Sequence, residues 1–461
     1  MARQKDAIII GAGQAGPFLA ARLAGAGWTV GLIERASLGG TCINDGCTPT
    51  KTLIASARTA WLARRAADYG VHAGPVRVDM PAVKARKDGV VARAVQGLED
   101  WLGGMDKVEI VRGTARFTGP HAVAVGSDEL TAGHIFINTG CRPVVPDWPG
   151  LDRTPFLTNR SMMDLDVLPE HLVIVGGSYV GLEFAQMYRR FGARVTVVQR
   201  GPQLLTREDP DVADAVRDIL VEEGIAFVFG ASGFAVDGSA GDIRLSIERG
   251  GTTRTIAGSH LLLAIGRRPN VEDLNLDAAG IACERTGYIH VDERLRTTVE
   301  GVFALGDVNG RGAFTHTSYN DFEIVAANLL AGESRSVRDR IPASAVYTDP
   351  PLGRAGMSET EVRRSGRPAL KATLPMTRVQ RARERGETRG LLKLLVDAET
   401  QLVLGAAFLG IEGDEMIHAV IDMMAGKVPA PVIARTMHIH PTVSEYLPVL
   451  LHELRPLEAS R

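Results

Sequence analysis

Twice in this chain a short apolar strand runs into a glycine-rich turn and out into a helix, and that repeat limits the fold more than any other feature. Ala7 to Ile10 leads into Gly11-Ala-Gly13-Gln-Ala-Gly16, helical periodicity follows from Phe18 to Leu23, and Trp28 to Ile33 gives a second strand. The plan returns 165 residues later: Leu172 to Val175, the turn Gly176-Gly177-Ser178-Tyr179-Val180-Gly181, a helix from Leu182 to Phe191 and a strand from Arg194 to Val198. Each is a βαβ unit. Its glycines let a pyrophosphate approach the backbone at a helix N-terminus. The expectation is an α/β chain with two Rossmann-like dinucleotide-binding units.

The remaining chain adds two pieces. Gly287 to Leu330 returns to strand and turn signals and is expected to complete the first unit. Beyond about residue 340 the pattern changes to alternating strands, Leu391 to Val396 and Val403 to Leu409, with a helix around Glu415 to Ala425, which reads as a separate α+β domain. A length of 461 residues suits about three domains. The Arg- and Glu-dense stretch Arg378 to Arg389 reads as a solvated loop, with an electrostatic contact to substrate or partner as the alternative. Lys plus Arg number 52 against 54 Asp plus Glu, so no global field favours nucleic acid or an anionic membrane. Met1 to Ile10 is too short in apolar residues for a signal peptide, and no run of about 18 apolar residues occurs, so a soluble cytoplasmic protein is expected.

Four cysteines in so long a chain are not a secreted disulfide framework, and a close pair in a reducing compartment is catalytic or metal-binding. Cys42 and Cys47 sit in Leu38-Gly-Gly-Thr-Cys42-Ile-Asn-Asp-Gly-Cys47-Thr-Pro-Thr-Lys51. Residues five apart on a regular helix point about 140° away from each other, so a bond between them needs an irregular first turn. Gly39, Gly40, Gly46 and Pro49 permit one. A thiolate at a helix start is stabilised by free N–H groups and the helix dipole. Half of a zinc site would need a second Cys/His pair that is not nearby, and no resident metal is expected. In the first unit Glu34, eighteen residues after Gly16, is placed to bond ribose hydroxyls. In the second, Gln199-Arg200 stands where an acidic residue would hold an NAD ribose, and Arg200 with Arg207 suits a 2′-phosphate, which favours NADPH over NADH.

At these residues the chain resembles the pyridine nucleotide-disulfide oxidoreductases, the family of dihydrolipoamide dehydrogenase, glutathione reductase and mercuric reductase. The resemblance rests on Gly-Gly-Thr-Cys42-x4-Cys47-x-Pro-x-Lys51, on Thr139-Gly140 with Arg142-Pro143, on Ile265-Gly266-Arg267-Arg268-Pro269-Asn270, on Leu305-Gly306-Asp307, and on His438-Ile-His440-Pro-Thr-x-Ser-Glu445, in the family's order. It implies an FAD-binding domain from 1–150 and 271–338, an NAD(P)H-binding domain from 151–270 and a dimerisation domain from 339–461. Cys42 and Cys47 become a redox-active disulfide, Cys47 nearest the flavin and Cys42 exchanging with substrate. Gly40, Thr41, Gly113, Thr114, Thr139, Gly140, Gly306 and Asp307 join Gly11, Gly13, Gly16 and Glu34 at the FAD, with Asp307 on the ribityl chain. Lys51 would lie by the flavin N5, paired with Glu183. Gly176, Ser178, Gly181, Gln199, Arg200 and Gly266 would hold the nicotinamide nucleotide, and Tyr179 would cover the flavin until nicotinamide displaces it. His440, oriented by Glu445, would manage protons from the other subunit of a homodimer. His438 is expected to face solvent, and Cys141 and Cys283 to be inert.

Three readings of the acceptor follow. Asp45-Gly-Cys-Thr-Pro-Thr-Lys51, Phe314-Thr-His-Thr-Ser-Tyr319, Pro350-Pro-Leu-Gly-Arg-Ala-Gly-Met357 and Thr388-Arg-Gly-Leu-Leu-Lys393 look like the mercuric-reductase-like branch, which includes bacterial flavoproteins of the reactive-chlorine response and points to Hg(II) or Cu(II). Leu450 to Arg461 lacks the cysteine pair with which a dedicated mercuric reductase hands metal inward, so efficient mercury handling is not expected. His440 and Glu445 suit a small disulfide or dithiol, as in an NAD-linked dihydrolipoamide dehydrogenase. A redox-sensing or structural flavoprotein subunit is the third reading; it has no need of Lys51, Tyr179 and His440 together.

Overall fold

A computed structural model describes residues 3–458; Met1, Ala2 and the last three residues of the Leu450–Arg461 stretch lie outside them. Arg3–Ile10 is the central strand of a seven-stranded sheet, parallel to Val30–Glu34 on one side and to Asp128–Ile137 on the other, with Val108–Arg112 beyond Val30–Glu34. Ala7 to Ile10 is buried on both faces, which is why it reads as an unbroken apolar run. Asp128–Ile137 changes partner along its length. Its first half pairs antiparallel with Ala122–Val125, and its last residues pair in parallel with Val302–Ala304. Chain from beyond the second unit thus returns to the first sheet.

The second sheet is four-stranded and parallel, in the order Ala226–Val228, Arg194–Val198, His171–Val175, His260–Leu263. A three-stranded antiparallel sheet, Ser232–Ser239, Asp242–Arg249 and Thr252–Gly258, packs over it. The two crossings between the parallel sheets run side by side, because Cys141–Pro143 and Arg267–Pro269 form an antiparallel pair. From Ala343 onward the chain builds a six-stranded antiparallel sheet covered by the helix Gly413–Ala425. The architecture is therefore α/β, with two dinucleotide-type sheets followed by an α+β layer. No helix among the described residues is long and apolar enough to cross a membrane.

One core joins three regions. Leu53 and Ala57 of the helix Cys47–Arg64 pack with Leu182, Phe184 and Tyr188 of the helix Tyr179–Phe191, and with Val346, Leu352 and Leu409 of the last sheet. The redox helix is thereby wedged between the second unit and the C-terminal layer.

The stretch Arg378 to Arg389 departs from the solvated loop expected. It forms a helical turn at Met376–Arg378 and a helix Gln380–Glu384, with Ala382 fully buried. Glu387 is buried against Arg58 Nη2 at 3.0 Å. The dense charge conceals Val379, Ala382 and Glu387, which point inward, and Glu387 is drawn in because Arg58 presents a guanidinium there.

Candidate active site at the Cys42/Cys47 pair

The cysteine motif folds as two helices with a break between them. Gly39, with φ of 92°, opens the short helix Gly40–Asn44, and Asp45-Gly46 breaks the path before Cys47–Arg64 begins. A Cβ on Gly46 would stand 2.7 Å from the Thr41 carbonyl oxygen, so the break tolerates no side chain there. This bend is what turns two residues five apart toward each other. Both are free cysteines, and each shifts the other's titration. The Thr315 hydroxyl, at the start of the helix Thr315–Leu330, lies 3.0 Å from Cys42 Sγ and 3.4 Å from Cys47 Sγ.

The pair is electrostatically unequal. Cys47 is the first residue of an 18-residue helix. Its thiol is lowered to about 6, first by the neighbouring Cys42 and then, against burial, by Thr315 and the charge of Lys51. Cys42 is raised, by the neighbouring Cys47 and by burial. Lys51 Nζ bonds both oxygens of Glu183, at 2.8 and 3.0 Å, and lies 4.6 Å from the centre of the Tyr347 ring. Glu183 is buried and also accepts the Tyr347 N–H at 3.0 Å.

The first glycine turn has the shape of a dinucleotide cradle. A Cβ on Gly11, whose φ is 104°, would meet the Asn138 carbonyl oxygen at 2.4 Å, and one on Gly16 would meet the Gly11 carbonyl oxygen at 2.3 Å. Gly13 lies against Asn138 Oδ1, and a Cβ on Gly40 would come within 2.8 Å of Gly13 Cα. The cysteine loop and the nucleotide turn are thus in contact through Gly40, with Thr41 next to it. Glu34 accepts the N–H groups of Ala12 and Ala36, each at 2.8 Å, which fixes its carboxylate beside the turn with lone pairs to spare. Gly113, φ 149°, packs against Val125, and Thr114 beside it is exposed. The Thr139 hydroxyl is turned to the Asn270 carbonyl and Gly140 accepts the Asn270 N–H, so these residues brace the crossing between sheets. Gly306, φ 71°, admits no Cβ beside Ser318, and Asp307 follows it with a carboxyl raised by burial and, among the described residues, Arg267 Nη1 at 3.3 Å as its one cationic partner. The neighbouring Arg267 Nε is buried without a hydrogen-bond partner. Glycines that no side chain can replace, beside the half-buried Asp307 and the unpartnered Arg267 Nε, fit a long polar cofactor such as FAD.

The second turn repeats the packing. A Cβ on Gly176 would meet the Ala264 carbonyl oxygen at 2.2 Å, and one on Gly181 the Gly176 carbonyl oxygen at 2.0 Å. Ser178 is exposed and caps the helix with no side-chain hydrogen bond, and Gly266, φ 128°, faces open space. Gln199 is occupied internally: Oε1 accepts the Gly177 N–H at 3.0 Å and Nε2 donates to the Gln203 carbonyl at 3.3 Å. Arg200 and Arg207 are exposed. Tyr179 is half-buried, its ring edge-on to Phe314 with centroids 5.8 Å apart.

His440 Nδ1 bonds Glu445 Oε2 at 2.9 Å, and the imidazole is 68% exposed. Among the described residues no hydrogen bond joins this pair to the thiols of its own chain. Met437 and Ile439 beside it are 95% and 80% exposed. His438 is half-exposed and bonds the Thr436 carbonyl. Cys141 is buried, its thiol pushed up to about 12 by burial, while Cys283 is exposed.

Several residues at the site carry no motif of their own. Asn138 donates to the Leu305 carbonyl at 2.8 Å and accepts the Gly16 N–H at 3.1 Å, binding both halves of the nucleotide cradle together. Thr315 reaches Cys42 and the Tyr347 ring reaches Lys51 from positions some 270 to 300 residues distant in sequence. Only an unexplained Asn directly after an apolar strand, and the hydroxyl-rich stretch Phe314 to Tyr319, offered a signal.

Comparison with known proteins agrees along nearly the whole chain. Residues 5–321 match the pyridine nucleotide-disulphide oxidoreductase family, and residues 342–450 match that family's dimerisation domain. A probable pyridine nucleotide-disulfide oxidoreductase of Escherichia coli, RclA, is 38% identical over 96% of this chain and 97% of its own. A mercuric reductase of Bacillus cereus is 33% identical over 90% of this chain and 66% of that protein, and a dihydrolipoyl dehydrogenase of Thermus scotoductus is 33% identical over 96% and 95%. Among solved structures, the HOCl-induced flavoprotein disulfide reductase RclA from Escherichia coli superposes with a TM-score of 0.89 at 37% identity, covering 97% of this chain and 99% of that one. Its Cu(II) complex gives 0.90 at 36%, covering 98% and 99%.

Proposed function

The chain belongs to the pyridine nucleotide-disulphide oxidoreductases, and on that footing we propose that it uses Cys42 and Cys47 to deliver the electron pair of NADPH to a soft metal ion of the Hg(II) or Cu(II) class, or to a small disulfide, in a reducing cytoplasmic setting. The observation that carries this reading is the unequal thiol pair, bent together at a helix start and held by Thr315. FAD, when bound, supplies a two-electron carrier between the nicotinamide and these sulfurs. Gly11, Gly13, Gly16, Gly40, Gly306 and Asp307 are the residues that would hold it, with Glu34 at the ribose.

The residues divide the work by charge. Lys51 keeps a positive charge beside Cys47, so the thiolate end of the pair is the one closest to the ammonium. Glu183 anchors that ammonium from the second unit. Cys42 first gives its proton to His440 of the partner subunit and then, as a thiolate, attacks a sulfur of the acceptor disulfide. The acceptor S–S bond breaks, and the departing thiolate takes a proton from His440 of the partner subunit. The Cys47 thiolate then attacks Cys42 Sγ, closing the Cys42–Cys47 disulfide and releasing the second acceptor thiolate, which takes its proton from solvent. Two electrons and two protons have passed. For a metal ion the same pair offers two soft sulfurs: one Hg(II) takes both electrons, whereas two Cu(II) ions take one each, and the Cu(II) complex solved for RclA supports that arm. Arg200 and Arg207 are the residues free to read a 2′-phosphate, which supports NADPH.

Steady-state turnover of the purified holoenzyme with NADPH and NADH, against Hg(II), Cu(II), glutathione disulfide and lipoamide, tests the proposal. Turnover with NADPH and a soft ion or small disulfide is expected. A high rate confined to NADH and lipoamide would replace it with a dihydrolipoamide-dehydrogenase role.

A further inference from the structure

The loop after the second unit's second strand, residues 199–208, is tied at one end to the glycine turn and at the other to Tyr179. Gly177 N–H donates to Gln199, Gln199 to the Gln203 carbonyl, and Gln203 Nε2 to the Glu208 carbonyl at 2.9 Å. Leu205, buried and with φ of 46°, sends its N–H back to the Gly177 carbonyl at 2.9 Å. A non-glycine residue held at positive φ persists only where its surroundings over-determine it, so this loop has one shape. Its last residue, Glu208, is buried, with Oε1 3.5 Å from the Tyr179 hydroxyl. Glu208 Oε2 lies 3.2 Å from Arg354 Nε of the C-terminal layer, yet makes no aligned hydrogen bond. Arg354 opposes the rise that burial imposes on the Glu208 carboxyl. On its other side, the Tyr179 ring meets Phe314, the residue before Thr315.

We propose that Glu208 is a positioning residue that latches the Tyr179 hydroxyl, so that entry of the nicotinamide ring must break the Tyr179–Glu208 bond whereas binding of the adenosine-phosphate end need not. The inference rests on the reading of Tyr179 as the ring that nicotinamide displaces. Breaking the latch opposes nicotinamide entry, so removing either partner strengthens binding of the complete nucleotide. A net hydrogen bond is worth a factor of about two to ten in affinity.

The test is isothermal titration of the holoenzyme with NADP⁺ and with 2′,5′-ADP, which carries the phosphate but no nicotinamide. Tyr179→Phe and Glu208→Ala are each expected to bind NADP⁺ about two- to tenfold tighter with 2′,5′-ADP unchanged. The double variant is expected to be no tighter than either single one, and Glu208→Gln, which keeps an acceptor in place, to stay near the wild type. If Glu208→Ala shifts both ligands equally, or adds to Tyr179→Phe, Glu208 acts on the loop and the inference is overturned. If Glu208→Ala does not fold, an unchanged NADP⁺ affinity in Tyr179→Phe overturns it alone. Tyr179→Ala separates the underlying reading: an unchanged ratio of the two affinities removes Tyr179 from the nicotinamide's path, whereas a changed ratio without an effect of Glu208→Ala defeats only the latch.

Discussion

Lys51 and Glu183 form one ion pair, yet they act on Cys47 with opposite signs: the ammonium lowers its thiol and the carboxylate raises it. Lys51→Met should therefore raise, and Glu183→Gln lower, the pH at which Cys47 becomes a thiolate. Side chains one helical turn apart are about 6 Å from each other, and at an effective dielectric near 20 two unit charges at that distance interact by about 2.8 kcal/mol. Lys51 keeps 32% of its side-chain exposure. Solvent screening then leaves about half, or roughly one pH unit for Lys51→Met. The assay is alkylation of the reduced protein by iodoacetamide across the neutral range, with the modified cysteine identified by mass spectrometry. Wild-type Cys47 is expected to react with a midpoint near about 6. Thiolate, and with it the rate, grows as pH rises through that midpoint. Both variants also lose stability, Lys51→Met more, because it leaves a buried carboxylate with only the Tyr347 N–H. If the pair were merely structural, both midpoints would move together; shifts of the same sign would refute the reasoning.

Asn138→Ala should lower stability by about 2–4 kcal/mol in a denaturant melt, by orphaning the Gly16 N–H and the Leu305 carbonyl, and should raise the fraction of protein purified without flavin. Asp209 accepts the N–H groups of Glu359 and Thr360 at 2.9 and 3.0 Å and faces Lys393; although burial raises it, these partners hold it at about 2. A depressed carboxyl stabilises above its unfolded value near 4 and loses that contribution as pH falls through about 2, so Asp209→Asn should cost about 2 kcal/mol at neutral pH and flatten the acid limb of the stability curve. Arg200→Ala and Arg207→Ala should each weaken NADPH several-fold and leave NADH unchanged; equal losses for both nucleotides would remove the 2′-phosphate from their role.

How far the chain was legible from its sequence follows from how locally each feature is encoded. The two glycine turns could be read because strand, turn and helix are adjacent, and the packing that forbids a Cβ at Gly11 or Gly176 lies within or beside its own sheet. The helical break between Cys42 and Cys47 could be inferred from the angle between residues five apart. The Lys51–Glu183 pair was reached only through the family resemblance, since 132 residues separate its members. Asn138, Tyr347 and Glu208 escaped notice, and Thr315, although within the quoted Phe314 to Tyr319 stretch, was assigned no role, because each acts across long sequence separations on groups of ordinary composition. Gln199 shows the converse. Its place at the strand end suggested a nucleotide contact, but its amide is engaged by Gly177 and Gln203, which leaves the neighbouring arginines exposed. The Arg378 to Arg389 stretch misled because a charge-rich composition hides the single carboxylate that Arg58 buries.

The central claim is that electrons leave through Cys42. Cys42→Ser, studied as holoenzyme by rapid mixing with NADPH and then by turnover with a small disulfide or Cu(II), tests it most directly. NADPH should still bleach the flavin at the wild-type rate while turnover with the acceptor falls to background. Acceptor turnover surviving in Cys42→Ser would contradict it and place the final transfer at the flavin itself.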